Sequence, residues 1–90
     1  RFFADGVADG RIIGTELVTD IDPIDGEEWA AVLRHERIPI VSYPYEWTFS
    51  MLRDAALLQL DLLTDALAED MILKDSTPYN VQWIGKRPVF

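Results

Sequence analysis

The longest regular pattern in this chain is helical, and it limits the folds that so short a sequence can adopt. No proline or glycine occurs from Thr48 to Glu69, and apolar residues recur at spacings of three and four. Thr48 or Ser50 can accept the first unpaired backbone N–H and so cap the helix. The spacing predicts one long amphipathic helix over 48–69. Its apolar face comprises Phe49, Leu52, Ala55, Ala56, Leu60, Leu62, Leu63, Ala66 and Leu67.

This predicted helix has more apolar surface than one stripe requires. Leu57, Leu58 and Met51 widen the apolar face, whereas the carboxylates gather opposite it, at Asp54, Asp61 and Asp65. We interpret that acidic stripe as a solvated face rather than a metal site. A helix this apolar needs cover on more than one side, which predicts partners beyond these 90 residues.

The region 1–47 is rich in turn signals and short apolar runs. Asp5-Gly6, Asp9-Gly10 and Asp25-Gly26 are turn dipeptides, because glycine takes positive φ freely and aspartate bonds to the nearby backbone. The segment 11–18 is β-branched and predicts a strand, interrupted by Gly14. The segment 19–25 contains three aspartates and a proline and predicts a loop.

Two further elements are predicted before the long helix. Asp25 and Glu28 have capping-box spacing ahead of Trp29, Val32 and Leu33, which favours a short helix, although 31–38 is equally compatible with a strand. The segment 38–43 is apolar and predicts an extended edge that its proline can tolerate.

After the long helix, a loop leads into a predicted hairpin. Its strands are 81–83 and 88–90, joined by a turn at Gly85-Lys86. We therefore predict an α+β fold, with one long helix packed on a small antiparallel sheet and a C-terminal hairpin. We expect the 90 residues to form a single partial domain: a strand- and turn-rich part (1–47), the helix (48–69), and a loop plus hairpin (70–90).

Composition excludes several classes of function. An apolar fraction of 49% is that of a folded chain, and the absence of cysteine excludes disulfides and thiolate metal sites. A net charge of −8 argues against a nucleic-acid partner. No apolar run approaches the roughly 20 residues of a membrane span, so we expect a cytoplasmic protein with no membrane partner. Both termini are apolar, which predicts that the missing remainder of its own chain is its partner and that it is inactive alone.

One constellation could carry chemistry. Asp75, Pro78 and Asn80 follow the long helix and precede the hairpin. In phosphoryl transfer an aspartate accepts the proton of the attacking hydroxyl, and an asparagine five residues later holds a metal ion. The segment 73–90 resembles the catalytic loop of RIO-type atypical kinases and aminoglycoside phosphotransferases. That resemblance implies a kinase-like lobe, with Asp75 as catalytic base, Asn80 as metal ligand, and Mg²⁺ and ATP as cofactors. The alternative is that Asp75 caps a turn and Asn80 bonds to the backbone.

A second candidate site is aromatic. Tyr43, Tyr45 and Trp47 alternate, so on an extended chain they would share one face, which could stack on an adenine or pack against the helix. Glu46 could accept from a ligand amine or pair with Arg53. We therefore consider Tyr45, Glu46 and Trp47 as candidate substrate- or nucleotide-binding residues. The single histidine, His35, lies between charged residues and is interpreted as a surface or strand-end residue rather than a base.

A wider resemblance covers 9–90. The distinctive strings are Leu33-Arg34-His35-Glu36-Arg37-Ile38-Pro39, Ser42-Tyr43-Pro44-Tyr45-Glu46-Trp47, Met51-Leu52-Arg53-Asp54-Ala55-Ala56-Leu57-Leu58, Leu73-Lys74-Asp75 and Pro78-Tyr79-Asn80-Val81-Gln82. They resemble the N-terminal part of a bacterial family of SAM-dependent methyltransferases described as nodulation-methyltransferase-like. The resemblance implies methyl transfer from SAM by a parent protein, whose glycine-rich SAM-binding segment lies downstream. This chain has no such segment, so we assign it no SAM-binding residue and no cofactor of its own.

Three functional interpretations remain open. The chain is the region preceding the SAM-binding domain of a methyltransferase-like protein, or part of a kinase-like phosphotransferase, or a non-catalytic scaffold or interaction module. SAM binding, Mg²⁺-dependent ATP binding and binding of neither ligand distinguish them.

Overall fold

A computed structural model describes residues 1–19 and 28–90. In chain order its helices and strands are α1 (Phe2–Ala8), β1 (Thr15–Val18), β2 (Val32–His35), α2 (Phe49–Leu67), β3 (Gln82–Ile84) and β4 (Arg87–Val89). Single 3₁₀ turns occupy Pro44–Glu46 and Pro78–Asn80. The α+β prediction is confirmed, with two separate two-stranded antiparallel sheets. None of the helices in the described ranges has the length and apolar character needed to cross a membrane.

The long helix is α2, and its two ends explain its length. The Thr48 hydroxyl accepts from the Met51 backbone N–H at 3.3 Å, as predicted for the N-cap. At the other end Asp70 adopts a left-handed φ of 58°. The Asp70 N–H donates to the Leu67 carbonyl at 3.2 Å, and the Met71 N–H donates to the Ala66 carbonyl at 2.9 Å. This pair of bonds is a Schellman ending, so α2 stops two residues before the predicted Glu69.

The hydrophobic core lies on one side of α2, which we call the inner face: Ala55, Leu58, Leu62 and Ala66. Phe2 of α1, Ile12 and Val81 join it in one buried cluster, and Leu62 and Val81 are fully buried. Burial of such side chains stabilises by about 1.5–3 kcal/mol each, so this small cluster carries much of the folding free energy.

The predicted C-terminal hairpin is confirmed. Strands β3 and β4 pair antiparallel, with Trp83 opposite Pro88, and Gly85 takes the positive φ of 61° that the turn requires. The outer edge of β4 is also paired. The Ile13 N–H donates to the Phe90 carbonyl at 2.8 Å, and the Phe90 N–H donates to the Arg11 carbonyl at 2.9 Å. The N-terminal region is thereby bonded to the hairpin.

The first sheet differs in part from expectation. The strand predicted over 11–18 is shorter, since only Thr15–Val18 pairs in β1. The strand alternative for 31–38 holds over Val32–His35, so the short helix favoured by the capping-box spacing is wrong at Val32 and Leu33. They belong to β2, because Leu33 lies opposite Leu17 and Val32 opposite Val18 in an apolar cross-strand ladder. The capping residue Asp25, the Asp25-Gly26 turn and most of the 19–25 loop lie outside the described residues.

Two local predictions near the N-terminus had different outcomes. The Asp9-Gly10 turn is confirmed, with Gly10 at φ 82°. The Asp5-Gly6 turn is wrong, because Gly6 is buried inside α1. A Cβ at Gly6 would lie 2.5 Å from the Ile12 Cδ1, so this glycine serves close packing rather than chain reversal.

The segment 38–43 forms no strand. Ile40 and Val41 are largely exposed, and no described strand lies alongside to supply the ladder that an extended segment needs. The next residues form the 3₁₀ turn at Pro44–Glu46, so the chain is not extended through Tyr43, Tyr45 and Trp47.

Candidate functional site

The loop proposed for phosphoryl transfer is closed by hydrogen bonds to one backbone carbonyl. Asp75 has a left-handed φ of 51°, and its carbonyl accepts from the Thr77 N–H at 2.8 Å and from the side-chain amide of Asn80. The Asn80 backbone N–H in turn reaches the Thr77 carbonyl at 3.0 Å. Asp75 and Asn80 are thus brought together, as their spacing predicted, through a side-chain to main-chain bond.

The chemistry available at this loop follows from those bonds. The Asn80 amide nitrogen is occupied by the backbone, and the Asp75 carboxylate has no hydrogen-bond partner among the described residues. The same ranges contain no group of three His, Asp or Glu side chains able to hold a metal ion. The Asn80 bond to the backbone agrees with the turn-capping alternative, whereas the Asp75 side chain caps nothing among the described residues. The roles of Asp75 as base and Asn80 as metal ligand stay predictions.

The loop is fastened to α2 beside an apolar groove. The Gln59 side-chain amide donates to the Thr77 carbonyl at 3.0 Å, which holds the loop along the helix. Between loop and helix lies a cavity of about 410 Å³, lined by Ala56, Gln59, Leu60, Leu63, Leu73 and Ser76. Most of these lining side chains are apolar, so the groove suits an apolar occupant better than a phosphate.

The groove continues into an uncovered apolar stripe on α2, which we call the outer face: Phe49, Leu52, Ala56, Leu60, Leu63 and Leu67. The steps of three and four residues place these positions on one side of the helix. Phe49 is 81% exposed and Leu60 is 59% exposed. The sequence indicated that α2 needs more cover than one stripe allows. It placed inner- and outer-face residues in one broad face, which the structure divides.

The aromatic candidate segment is anchored to the hairpin by one glutamine. The Ser42 N–H donates to the Gln82 Oε1 at 2.9 Å, and the Gln82 Nε2 donates to the Ser42 carbonyl at 3.1 Å. Gln82 therefore pairs with the Ser42 backbone much as a neighbouring strand would. The Trp47 indole N–H adds a third bond, to the Ser42 hydroxyl at 2.9 Å.

The three aromatic residues do not share a face. Trp47 meets Trp83 edge to face, with ring centroids 5.8 Å apart, and packs against the core. Tyr43 and Tyr45 instead stack in parallel, with centroids 5.6 Å apart and planes 5° apart. The 3₁₀ turn causes this separation, because it ends the two-residue alternation of an extended chain. Of the candidates, Trp47 faces inward, and Tyr45 is 78% exposed.

Glu46 caps its own turn. Its Oε1 accepts from the Tyr43 N–H at 2.8 Å, which places the carboxylate at the base of the tyrosine stack. The predicted pairing with Arg53 does not form, since that guanidinium binds Asp54 at 3.3 Å. Among the described residues Glu46 has no cationic partner.

His35 ends β2 opposite Thr15, as expected of a strand-end residue. The Thr15 hydroxyl donates its one proton to the Ile13 carbonyl at 2.9 Å. The 2.8 Å contact between that hydroxyl and the His35 Nδ1 therefore requires Nδ1 to be the donor. The bond closes the β1–β2 ladder and leaves Nε2 facing away from it.

One carboxylate of the acidic stripe has a structural role. Arg11 bonds Asp65 on α2 at 2.6 Å and Asp9 at 2.9 Å, which links the N-terminal turn to the helix. The hydrogen bond to Asp65, and then the interactions with Asp9, raise the pKa of Arg11 above its ordinary value against an opposing effect of burial. The guanidinium is therefore charged at any physiological pH.

Comparison with known proteins identifies a bacterial relative. The chain is 48% identical over 61 residues to the protein "Nodulation protein NoeA" of Rhizobium meliloti (strain 1021). That match covers 68% of this chain and 13% of the relative, so the chain spans a small part of NoeA's length. No family model matches the chain. No solved structure matches it either.

Proposed function

We propose that this chain is a non-catalytic packing module of a NoeA-like protein, whose outer face on α2 docks against another part of that larger protein. The outer face is the observation that carries the proposal. Six small or apolar side chains form one continuous stripe beside the apolar groove at Leu73, and they lie largely outside the core. Apolar surface of this continuity marks an interaction site more often than ordinary solvent-exposed surface.

The occupant that we propose is another part of the same NoeA-like protein. NoeA is much longer than the segment that matches, so a NoeA-like protein has ample chain with which to cover the outer face. The identity of 48% is high enough for the matched region to share a fold and the surfaces that a fold presents. We infer an intramolecular partner, and a cytoplasmic location is part of the same proposal.

We assign methyl transfer to the larger NoeA-like protein and not to this chain. The resemblance to SAM-dependent methyltransferases implies that SAM is bound by a segment downstream of the region to which this chain is similar. The Asn80 bond to the Asp75 carbonyl gives that loop a structural task within the module. The chain itself therefore contributes packing surface, and the chemistry lies elsewhere.

Docking is tested in a chimera in which this chain replaces the matching region of NoeA. The double variant Leu60→Asp with Leu63→Asp should lower the melting temperature of the chimera and increase its proteolysis, because charges on the outer face cannot be buried. The matched control, Ile40→Asp with Val41→Asp, charges exposed apolar residues of the segment 38–43 instead. Equal destabilisation by both pairs would refute docking through the outer face.

The assignment of chemistry is tested by ligand titration. SAM should bind NoeA, with no measurable binding to the 90-residue chain alone. Mg²⁺-dependent ATP binding by NoeA or by the chimera, lost on Asp75→Ala with Asn80→Ala, would instead establish the phosphotransferase interpretation. If NoeA binds neither SAM nor ATP, the scaffold interpretation without methyl-transfer chemistry is the one that holds.

A further inference from the structure

The 3₁₀ turn at Pro44–Glu46 displays an aromatic pair beside an unpaired carboxylate. The rings of Tyr43 and Tyr45 stack in parallel, and the outer ring, that of Tyr45, is 78% exposed. Glu46 lies at the base of the stack, with one carboxylate oxygen 2.8 Å from the Tyr43 backbone nitrogen. We propose that this site binds a guanidinium group, which stacks on the Tyr45 ring and donates to the free oxygen of Glu46. The proposal does not depend on the outer face.

The charge around the pair selects a cation. The face of a phenol ring carries negative electrostatic potential and attracts cations. From 38 to 52 the sole charged residue is Glu46, and the whole chain carries a net charge of −8. An anionic ligand would meet only repulsion here, whereas a cation gains from both the ring and the carboxylate.

The geometry favours guanidinium over ammonium. A guanidinium is planar and stacks flat on an aromatic ring while its edge donates to a carboxylate, a combination that the compact lysine ammonium cannot make. The stack offers such a flat surface, because its two ring planes differ by only 5°. The Tyr43 N–H holds one oxygen of the Glu46 carboxylate and leaves the other oxygen able to accept from a ligand.

The site is preorganised, which reduces the entropy lost on binding. Gln82 holds the Ser42 backbone through two hydrogen bonds, and the Trp47 indole binds the Ser42 hydroxyl. Pro44 at the start of the turn fixes one further backbone torsion. The aromatic pair therefore projects from a braced turn.

The chain contains a matched comparison. The second 3₁₀ turn, Pro78–Asn80, also begins with Pro-Tyr and exposes its tyrosine, Tyr79, by 62%. Tyr79 stacks on no aromatic ring within the described residues, and the next residue is the neutral Asn80. A ligand that recognises exposed tyrosine alone would use both turns equally, and a guanidinium should prefer the turn that contains Glu46.

The experiment is a titration of the ¹⁵N-labelled 90-residue chain with acetyl-Gly-Arg-Gly-amide, followed by NMR. We expect saturable shifts of the Tyr43 and Glu46 amides, with affinity reduced about threefold by Tyr45→Ala, as for an exposed cation–π contact. Tyr45→Phe should retain binding. Glu46→Gln should weaken binding about threefold, while its amide oxygen still caps the turn.

Controls separate this site from general charge attraction. The lysine analogue of the peptide should bind about threefold more weakly, and Tyr79→Ala should leave the affinity unchanged. Free L-arginine distinguishes a small-molecule ligand from an arginine side chain of a polypeptide, since equal binding indicates the former and tighter peptide binding the latter. Equal affinity for the lysine peptide, equal losses from Tyr79→Ala and Tyr45→Ala, or no saturable shifts would overturn the proposal.

Discussion

The two sides of α2 are both apolar and have very different surroundings. The inner face places Leu58 and Leu62 in the core, with Leu62 fully buried, whereas the outer face leaves Leu60 59% exposed. Both faces are leucine-rich, so composition does not determine which one is covered. The covering elements decide it: α1, Ile12 and the hairpin all approach from the inner side. The helix α2 thus has two apolar faces, and the other described elements cover only the inner one.

The largest difference between the faces should appear on truncation of single leucines. Leu62→Ala should lower the free energy of unfolding by about 3 kcal/mol, because it leaves a cavity in a packed core. Leu60→Ala removes the same atoms from a side chain already in solvent, so a loss below about 0.5 kcal/mol is expected. Urea denaturation of the isolated chain measures both. Equal losses would mean that the outer face is buried in the free chain.

A second prediction concerns the close contact that covers the inner face. Gly6→Ala should destabilise the chain by about 2 kcal/mol, because its Cβ would lie 2.5 Å from the Ile12 Cδ1 and displace that side chain from the core. Gly85→Ala is the control, since its Cβ meets nothing within 4 Å and only the positive φ opposes it. A loss for Gly6→Ala no larger than that for Gly85→Ala would indicate that Ile12 adjusts freely.

The loop beside the outer face offers a smaller test. Asn80→Ala should cost about 1 kcal/mol of stability, since it removes the side-chain bond to the Asp75 carbonyl. Asp75→Asn keeps that carbonyl and removes a carboxylate that has no hydrogen-bond partner among the described residues, so little change is expected. Thermal denaturation of the two variants measures the difference. A larger effect for Asp75→Asn would assign its carboxylate a task in the fold.

The smallest expected effect is a gain at the end of α2. Asp70→Gly should raise the free energy of unfolding by about 0.5 kcal/mol, because glycine adopts the left-handed conformation at φ 58° without steric penalty. Chemical denaturation would show a higher midpoint with an unchanged slope. A lower midpoint would show that the aspartate stabilises the Schellman ending through its side chain.

Elements with strong local signals could be predicted from the sequence. Period and capping located α2 to within two residues, and Gly85 with its apolar flanks located the hairpin. α1 was missed because Asp5-Gly6 is a turn dipeptide by local propensity, and the need for glycine arises only from the close approach of Ile12. The short helix at Val32 and Leu33 was favoured for a similar reason. The strand that forms there instead depends on pairing with Leu17, which is distant in sequence.

The sequence pointed to the loop that contains Asp75 and Asn80, but not to the hydrogen bond between them. Asn80 reaches Asp75 through a main-chain carbonyl, a bond that depends on backbone torsions and that the five-residue spacing does not determine. The tyrosine stack was not predicted, because the segment containing Tyr43 and Tyr45 was interpreted as extended. Pro44 at the start of a Pro-Tyr-Glu turn is the signal that could have revealed it, since proline is favoured at the first helical position.

Solvent accessibility at position 60 tests the docking claim most directly, because the chain has no natural cysteine. Leu60→Cys and Leu33→Cys would be labelled with a maleimide in the isolated chain and in the NoeA chimera, with rates read for each site by peptide mass spectrometry. If the outer face is open in the isolated chain, both cysteines should be labelled rapidly there, independent of protein concentration. In the chimera, labelling at position 60 should slow at least about tenfold, a factor that corresponds to about 1.4 kcal/mol of protection, while position 33 changes little. Equal labelling rates at position 60 in both proteins would show that the outer face does not dock.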